Sequence, residues 1–568
     1  AVALEPKHPM PRTALAEAWS ALGYADRARA EARQAAADSA ALPDELRLGV
    51  EARLHEAAKA WTEAATSYQA LLDRHPDDLD SGLRLAAAQV FAGKTNAALV
   101  TIEALRKLPA PLRDDARIDL AEARARQEQN DFRKQADLAA AGAAKARASG
   151  DRLLLARARM LESTALRSLG DAKGSDAAVD EARSLYEAVS DRNGSARALE
   201  QMSISVFGRG DLEGSRRLLE KAVDLYRQTG DKAGSARAGA NLGNVLLSLG
   251  RVAEAERMYD ESLKTFRSIG ATHEAAASLN SIGVAFIKRG DLRKARERTE
   301  EAVSLWSGIG RKAFTALALS NLGEIERHLG NPDEARKLHE EALALNREVG
   351  EKAGVAFDLL QLAEVFLAKG DLVVTRQRAQ ESAALQQELG DRLGTAETKL
   401  LAAKAFLAEG KPSEAAADAR VAEEVFRSEG ASDRQAHALA ALAEALARQA
   451  LPSESASAAA GARAAAGSSG DFRAGLVAET AEGWSALAAA QTDPTAAAVR
   501  FDAAAARAAK AGFVALALEA RLASLEARSV STKPSELRPL AEALARDASA
   551  KGFGLVARKA AVLSGNSR

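Results

Sequence analysis

The chain reads as all-α, a right-handed α-solenoid of tandem helix-turn-helix repeats, and three observations carry that reading. Alanine is abundant beside the good helix formers Leu, Arg and Glu, while aromatics make up only 4% and β-branched residues are sparse. No run shows the strict alternation of a half-buried strand. Glycine recurs with a twenty-residue beat and small residues with a forty-residue beat, so two helices make one unit.

The elements follow in order. Residues 1–110 read as about three shorter units of thirty-four residues, with Pro43, Pro76, Pro109 and Pro111 marking their ends. Residues 111–510 read as about ten forty-residue units, the first and last degraded. Through this zone glycine stands at 150, 170, 210, 230, 250, 270, 290, 310, 330, 350, 370, 390, 410, 430 and 470, with Ser190 and Ala450 filling the gaps. Glycine closes a helix by taking the left-handed conformation. Asp151, Asp171, Asp211, Asp231, Asp291, Asn331, Asp371, Asp391 and Asp471 follow such positions and are expected to cap the next helix.

Three columns of small side chains hold the forty-residue register. One runs Ala123, Ser163, Ser203, Gly243, Gly283, Gly323, Ala363, Ala403, Ala443, Gly483. A second, on the other helix, runs Ser175, Ser215, Ala255, Ala295, Ala335, Thr375, Ala415, Ser455, Thr495. A third runs Ala182, Ala222, Ser262, Ala302, Ala342, Ser382, Ala422, Ala462. Small residues let helix backbones approach closely, and larger neighbours such as Leu242, Tyr259 and Leu263 fill the space around them. The stretch 453–512 is rich in Ala and Ser, as a linker would be, yet Phe472, Trp484 and Phe501 keep the helical pattern and assign it to the same solenoid. Residues 511–568 hold a final helix, a turn at "STKPSE" and two further helices, the atypical cap that must shield the last apolar face. About thirteen helix pairs are expected in all.

Composition excludes several function classes. The 78 basic and 79 acidic side chains nearly cancel, so no general attraction to nucleic acid or an anionic membrane is expected. With no cysteine there are no disulfides, thiolate metal sites or thiol nucleophiles. No apolar run is long enough to span a bilayer. The start "AVALEPKHPM" lacks the basic and apolar regions of a signal peptide, and lacks Met, which points to a processed chain or part of a longer one. A cytoplasmic location is expected, with the extracytoplasmic region of a membrane-anchored signalling protein as the alternative.

The segment "NLGNVLLSLGRVAEAERMYDESL" (241–263) resembles the tetratricopeptide repeat, with Ser262 in place of its last Ala. "AKAWTEAATSYQALLDRHPDD" (58–78) resembles the shorter form of the same repeat, ending on Pro76. The forty-residue form is similar to that of peptide-binding scaffolds and bacterial regulators. More narrowly, the opening from "ALGYADRARAEARQ" and the closing "LAEALARDASAKGFGLVARKA" (540–560) resemble the repeat-rich C-terminal half of large bacterial signalling proteins. There the repeats follow a Ser/Thr kinase or a winged-helix domain, and the resemblance implies a sensory or scaffolding segment. The catalytic and DNA-reading residues of those domains do not occur in this sequence.

No chemistry is read from the residues. Gly234 and Gly239 have the spacing of a phosphate loop, but Ala240 and Asn241 stand where Lys and Ser or Thr are needed, and a helix precedes them. Gly239 also stands where other units carry Leu199, Leu279, Leu319 and Leu359, which the repeat does not explain. The seven histidines form no His-Glu-x-x-His or close carboxylate cluster and are expected at the solvated surface. The elbow G-x-S-x-G is missing. Recurrent pairs such as "DEAR" read as salt-bridged helix faces. No catalytic residue, cofactor site or metal site is assigned, and the chain is not expected to be an enzyme.

The resemblance implies that the first helix of each unit lines a concave face where an extended peptide or protein lies. The positions so implied are Arg197, Gln201, Arg237, Asn241, Asn244, Asn280, Asn321, Glu324, Arg327 and Gln361. Asparagine both donates and accepts, so a row of amides suits an extended backbone. Arg197 and Arg237 suit a carboxylate or phosphate. The alternative for the same side chains is bonding to the neighbouring helix. A small-ligand sensor that changes superhelix pitch, and a self-association scaffold forming homodimers, are the competing functions.

Overall fold

A computed structural model of the chain describes residues 5, 8–21, 24–489 and 494–565. Most of the opening stretch read above for a signal peptide, and the link at 490–493, therefore lie outside the described residues. Among the described residues there are 29 α-helices, joined by short turns and two 3₁₀ turns, and no strand.

The first six helices are short: α1 (Pro9–Ala21), α2 (Ala25–Ala37), α3 (Asp44–Ala57), α4 (Trp61–Arg74), α5 (Leu79–Phe91) and α6 (Thr95–Leu105). Longer helices follow α7 (Ala116–Glu128): α8 (Phe132–Ser149), α9 (Arg152–Ser168), α10 (Ala172–Ala188), α11 (Arg192–Gly208) and α12 (Leu212–Thr229). Next come α13 (Lys232–Ser248), α14 (Val252–Ser268), α15 (Thr272–Arg289), α16 (Leu292–Gly308), α17 (Lys312–Leu329) and α18 (Pro332–Val349). They continue as α19 (Lys352–Lys369), α20 (Leu372–Leu389), α21 (Arg392–Ala408), α22 (Pro412–Ser428), α23 (Ser432–Arg448) and α24 (Pro452–Ser469). The chain ends in α25 (Phe472–Ala489), α26 (Thr495–Ala511), α27 (Val514–Arg528), α28 (Pro534–Ala550) and α29 (Gly554–Leu563).

The punctuation works as the sequence implies, with one exception. Each glycine of the twenty-residue beat has positive φ, for example 74° at Gly230. Ser190 and Ala450 take the same left-handed conformation, φ 58° and 56°, at the cost an L side chain carries there. Asp151, Asp171, Asp211, Asp231 and Asp391 each accept the backbone N–H three residues on. Asn331 does not cap. Its amide donates to Glu326 at 2.6 Å, and Pro332 begins the helix with no N–H to satisfy.

The small columns face one another within each pair. Ser175 Oγ donates to the Ser163 carbonyl, Ser215 Oγ to that of Ser203 and Ser455 Oγ to that of Ala443, at 2.9, 3.0 and 2.8 Å. The third column meets the first helix of its own pair, where Ser262 Oγ donates to the Ala236 carbonyl at 2.8 Å. A Cβ on Gly239 would stand 3.1 Å from that same Ser262 Oγ, which gives the odd glycine a close neighbour. Where the first column is glycine the opposite side chain is larger: a Cβ on Gly323 would stand 2.6 Å from His339 Nε2, and one on Gly483 the same distance from Phe501.

The chain packs as two units, 1–245 with 261–271, and 246–260 with 272–568. In the first, Lys232 at the start of α13 lies 5.0 Å from the Tyr24 ring. In the second, the odd-numbered helices touch their odd-numbered neighbours and form the inner layer. After five pairs that layer returns on itself, with α15, α17 and α19 meeting α25, α27 and α29. Val514 backs on Gly330, the Lys369 carbonyl on Gly554, and Arg558 donates to the Gly370 carbonyl.

Candidate binding face on the inner helices

In the first unit the inner face is organised by one carboxylate. Glu200 on α11 is buried and accepts from the Tyr226 hydroxyl at 2.7 Å. Arg237 on α13 approaches it through Nη2 at 2.8 Å and Nε at 3.2 Å, and the same Nη2 reaches Tyr226 Oη at 3.1 Å. Asn241 Nδ2 lies 3.5 Å from Glu200. Burial opposes the Arg237 charge, but hydrogen bonding and attraction to Glu200 outweigh it and hold the guanidinium above its ordinary pKa. Burial, then the Glu200 charge, pushes the Tyr226 phenol up. Gln201 is spent on the preceding unit, donating to Ser163 Oγ and Thr164 Oγ1 at 2.9 and 3.0 Å. Arg197 and Asn244 are exposed on α11 and α13.

In the second unit Asn321 Nδ2 donates to Asn280 Oδ1 at 2.9 Å, linking α17 to α15. Bonding to the neighbouring helix is thus the arrangement adopted by Gln201, Asn241, Asn280 and Asn321. Beside that pair lies a network of fully buried groups. Asp358 is 0% exposed and accepts from Ser320 Oγ at 2.6 Å and Asn346 Nδ2 at 2.8 Å, with His339 Nδ1 at 3.5 Å.

Further along α17 the inner face becomes charged. Glu324 accepts from Arg473 on α25 at 2.7 Å, and Arg473 Nη1 lies 3.0 Å from His328 Nε2. Lys404 holds Glu364 at 3.1 Å, Arg434 holds Glu397 at 2.6 Å, and Lys288 holds Asp433 at 2.9 Å. Burial works against the Glu364 charge, but Lys404 and Arg327 outweigh it and bring its pKa to about 2. Burial, then the Arg327 charge, lowers His328 to about 4. Glu397 and Glu519 are pushed up by burial.

Five polar atoms of this face are buried without a partner among the described residues: Arg327 Nε, His328 Nδ1, Gln361 Oε1, His437 Nε2 and Arg473 Nε. Among the described residues Arg327 makes no ion pair, although its charge acts on Glu324, His328 and Glu364. His328, 3% exposed, and His339, 0%, correct the expectation of surface placement, while His8 and His75 are exposed. Lys404, His437 and Arg473 escaped the sequence reading because they lie two to four units away from Glu324. Asp358 carried a signal that was there to find, an acid set among the apolar residues of "VAFDLL".

No group of His, Asp and Glu among the described residues is arranged to hold a metal ion. No described helix is long and apolar enough to cross a membrane.

The fold and its polar inner layer define a helical-repeat scaffold. Residues 268–469 match the family described as the MalT-like TPR region, and 235–269 and 51–78 match tetratricopeptide repeats. No curated protein sequence matches the chain. Solved structures with a similar fold include the apo form of the quorum sensor NprR from B. thuringiensis, 15% identical, covering 59% of this chain and 99% of that one, TM-score 0.46. A Rap protein complexed with Competence and Sporulation Factor is 14% identical, with 62% and 99% covered and a TM-score of 0.47. The STAND protein PH0952 from Pyrococcus horikoshii, with its tetratricopeptide repeat sensor, is 13% identical, with 64% and 53% covered and a TM-score of 0.45.

Proposed function

We propose that the chain is a non-catalytic scaffold whose inner helix face receives an extended peptide segment of a partner. The carrying observation is the row of unpartnered polar atoms in the second unit, on α17, α19, α23 and α25. Guanidinium and imidazole donors and an amide acceptor, supplied by separate units, suit the alternating N–H and C=O groups of an extended backbone. Glu324, Arg327 and Gln361 are the contact residues of this reading, with Asn280 and Asn321 setting one end of the row. Arg197, Gln201, Arg237, Asn241 and Asn244 occupy the corresponding face of the first unit. The likeness to repeat-rich regions of bacterial signalling proteins supports a sensory role, in which ligand biases the pitch of the solenoid.

The test is selection of peptides from a random displayed library on the immobilised chain. Selected peptides should bind the double variant R327A/Q361A at least tenfold more weakly. Peptides that bind the variant as well as the parent, or none above background, reject the reading. A small polar ligand is the second reading, favoured because α25, α27 and α29 return onto α15, α17 and α19 and narrow the face. Thermal shifts with small molecules and none with peptides would select it.

A further inference from the structure

In the second unit the returning layer meets the inner helices through helix ends. A Cβ on Gly290, at the stop of α15, would stand 2.7 Å from the Phe472 ring that begins α25. One on Gly330, after α17, would stand 2.8 Å from Val514 at the start of α27, and one on Gly554, which begins α29, would strike the Lys369 carbonyl that ends α19. Helix C-termini thus face helix N-termini, an arrangement their dipoles favour. Two charged contacts close this seam. Lys288, near the end of α15, holds Asp433 of α23 at 2.9 Å and lies 3.9 Å from Asp471, the cap of α25. Forty residues on, at the same place in the repeat, His328 of α17 meets Arg473 of α25, itself forty residues beyond Asp433. Glu324 steadies Arg473 at 2.7 Å, and the Phe513 ring lies 5.4 Å from that of His328.

The closed seam hides groups that a ligand would use. A guanidinium only donates, so neutral His328 accepts at Nε2 and carries its proton on Nδ1, which is buried with no acceptor among the described residues. Arg473 Nε, across the seam, and Arg327 Nε, beside His328 in sequence, are likewise buried and unpartnered there. Each unmet donor costs stability that water or a ligand would restore, yet no ligand atom reaches them as they stand. Neighbouring helices pack along their lengths, as α21 to α25 do around Ala403, Ala419, Ala443 and Ala462. The seam is held at helix ends, so a small change of pitch parts it without unmaking any helix pair.

We propose that the seam is a gate, in which Lys288 and Arg473 hold α23 and α25 against α15 and α17 until they part to admit a peptide to the inner face. The gate rests on the peptide reading given above, since that is the ligand it admits. A reversible lock tests it. A Cβ on Gly290 would stand 3.3 Å from Phe472 Cβ, close to the roughly 3.5–4.5 Å that a disulfide spans, and the chain has no cysteine of its own. In the intact chain carrying G290C and F472C, library-selected peptides should bind the reduced form as they bind the parent, and the oxidised form at least tenfold more weakly. K288A alone should raise their association rate at least tenfold. Without ligand, a thiol reagent should modify the reduced pair at least tenfold faster when K288A is added. Melting curves establish that each variant folds, and K288A decides if the double variant does not. Equal binding by the oxidised and reduced forms, or unchanged association and thiol modification in K288A, overturns the gate. Peptide binding by no form, the parent included, rejects the peptide reading instead, and thiol modification then still decides whether the seam opens.

Discussion

At the scale of the residue, the informative groups are buried acids with several donors. Asp358 gathers a hydroxyl, an amide and an imidazole that have no water to turn to. Asp358→Ala should therefore cost about 3 kcal/mol, the penalty of leaving buried donors unmet, read as a shifted denaturation midpoint. His328 gives a pH prediction. Its folded pKa of about 4 lies below the ordinary 6.5, so the unfolded chain takes up the proton first. This contribution to stability is full above pH 6.5 and is lost as the pH falls toward 4. Glu364, at about 2 against an ordinary 4.5, adds a second loss as the pH falls below 4.5. Glu397 and Glu519, pushed up, act in the opposite sense. Denaturation midpoints measured between pH 7 and 4 should fall, and H328Q should flatten the upper part of that curve.

At the scale of the element, helix ends and helix contacts are tunable independently. Ser190 and Ala450 hold the left-handed conformation without being glycine. Ser190→Gly and Ala450→Gly should each stabilise by about 0.5–1 kcal/mol, seen as a raised melting temperature. Gly323 is the converse, a position where only hydrogen fits against His339. Gly323→Ala should destabilise by about 1–3 kcal/mol by forcing α17 from α18. These contacts were legible in advance, because column and cap residues recur at fixed spacing and act within one pair. The amides were legible only as a row. That Gln201 and Asn321 bond to the preceding unit depends on how closely inner helices approach, which no single residue encodes.

At the scale of the molecule, the second unit is held by contacts between helices ten apart in order. Gly554 lies so close to the Lys369 carbonyl that a Cβ there displaces backbone. Gly554→Ala should lift α29 from α19, raising amide hydrogen exchange in 554–563 while leaving α7–α10 unchanged. Equal exchange in parent and variant would show that this contact contributes nothing to the seating of α29. Because a solenoid unit touches chiefly its neighbours, such returning contacts add long-range coupling to a largely one-dimensional system.

Residues alone specified the helical class, the forty-residue period, the stops and most of the caps, since these rest on local backbone preference and on close packing inside one pair. The inner-face positions Arg197, Arg237, Glu324 and Arg327 came instead from the resemblance to the repeat family. Which charges meet was settled by the winding. Four units of winding bring Arg473 to Glu324 and His328 because small rotations between successive units accumulate, and that sum is written in no one repeat. The same winding orphaned Arg327 Nε and Gln361 Oε1, and so made the inner face a candidate for binding.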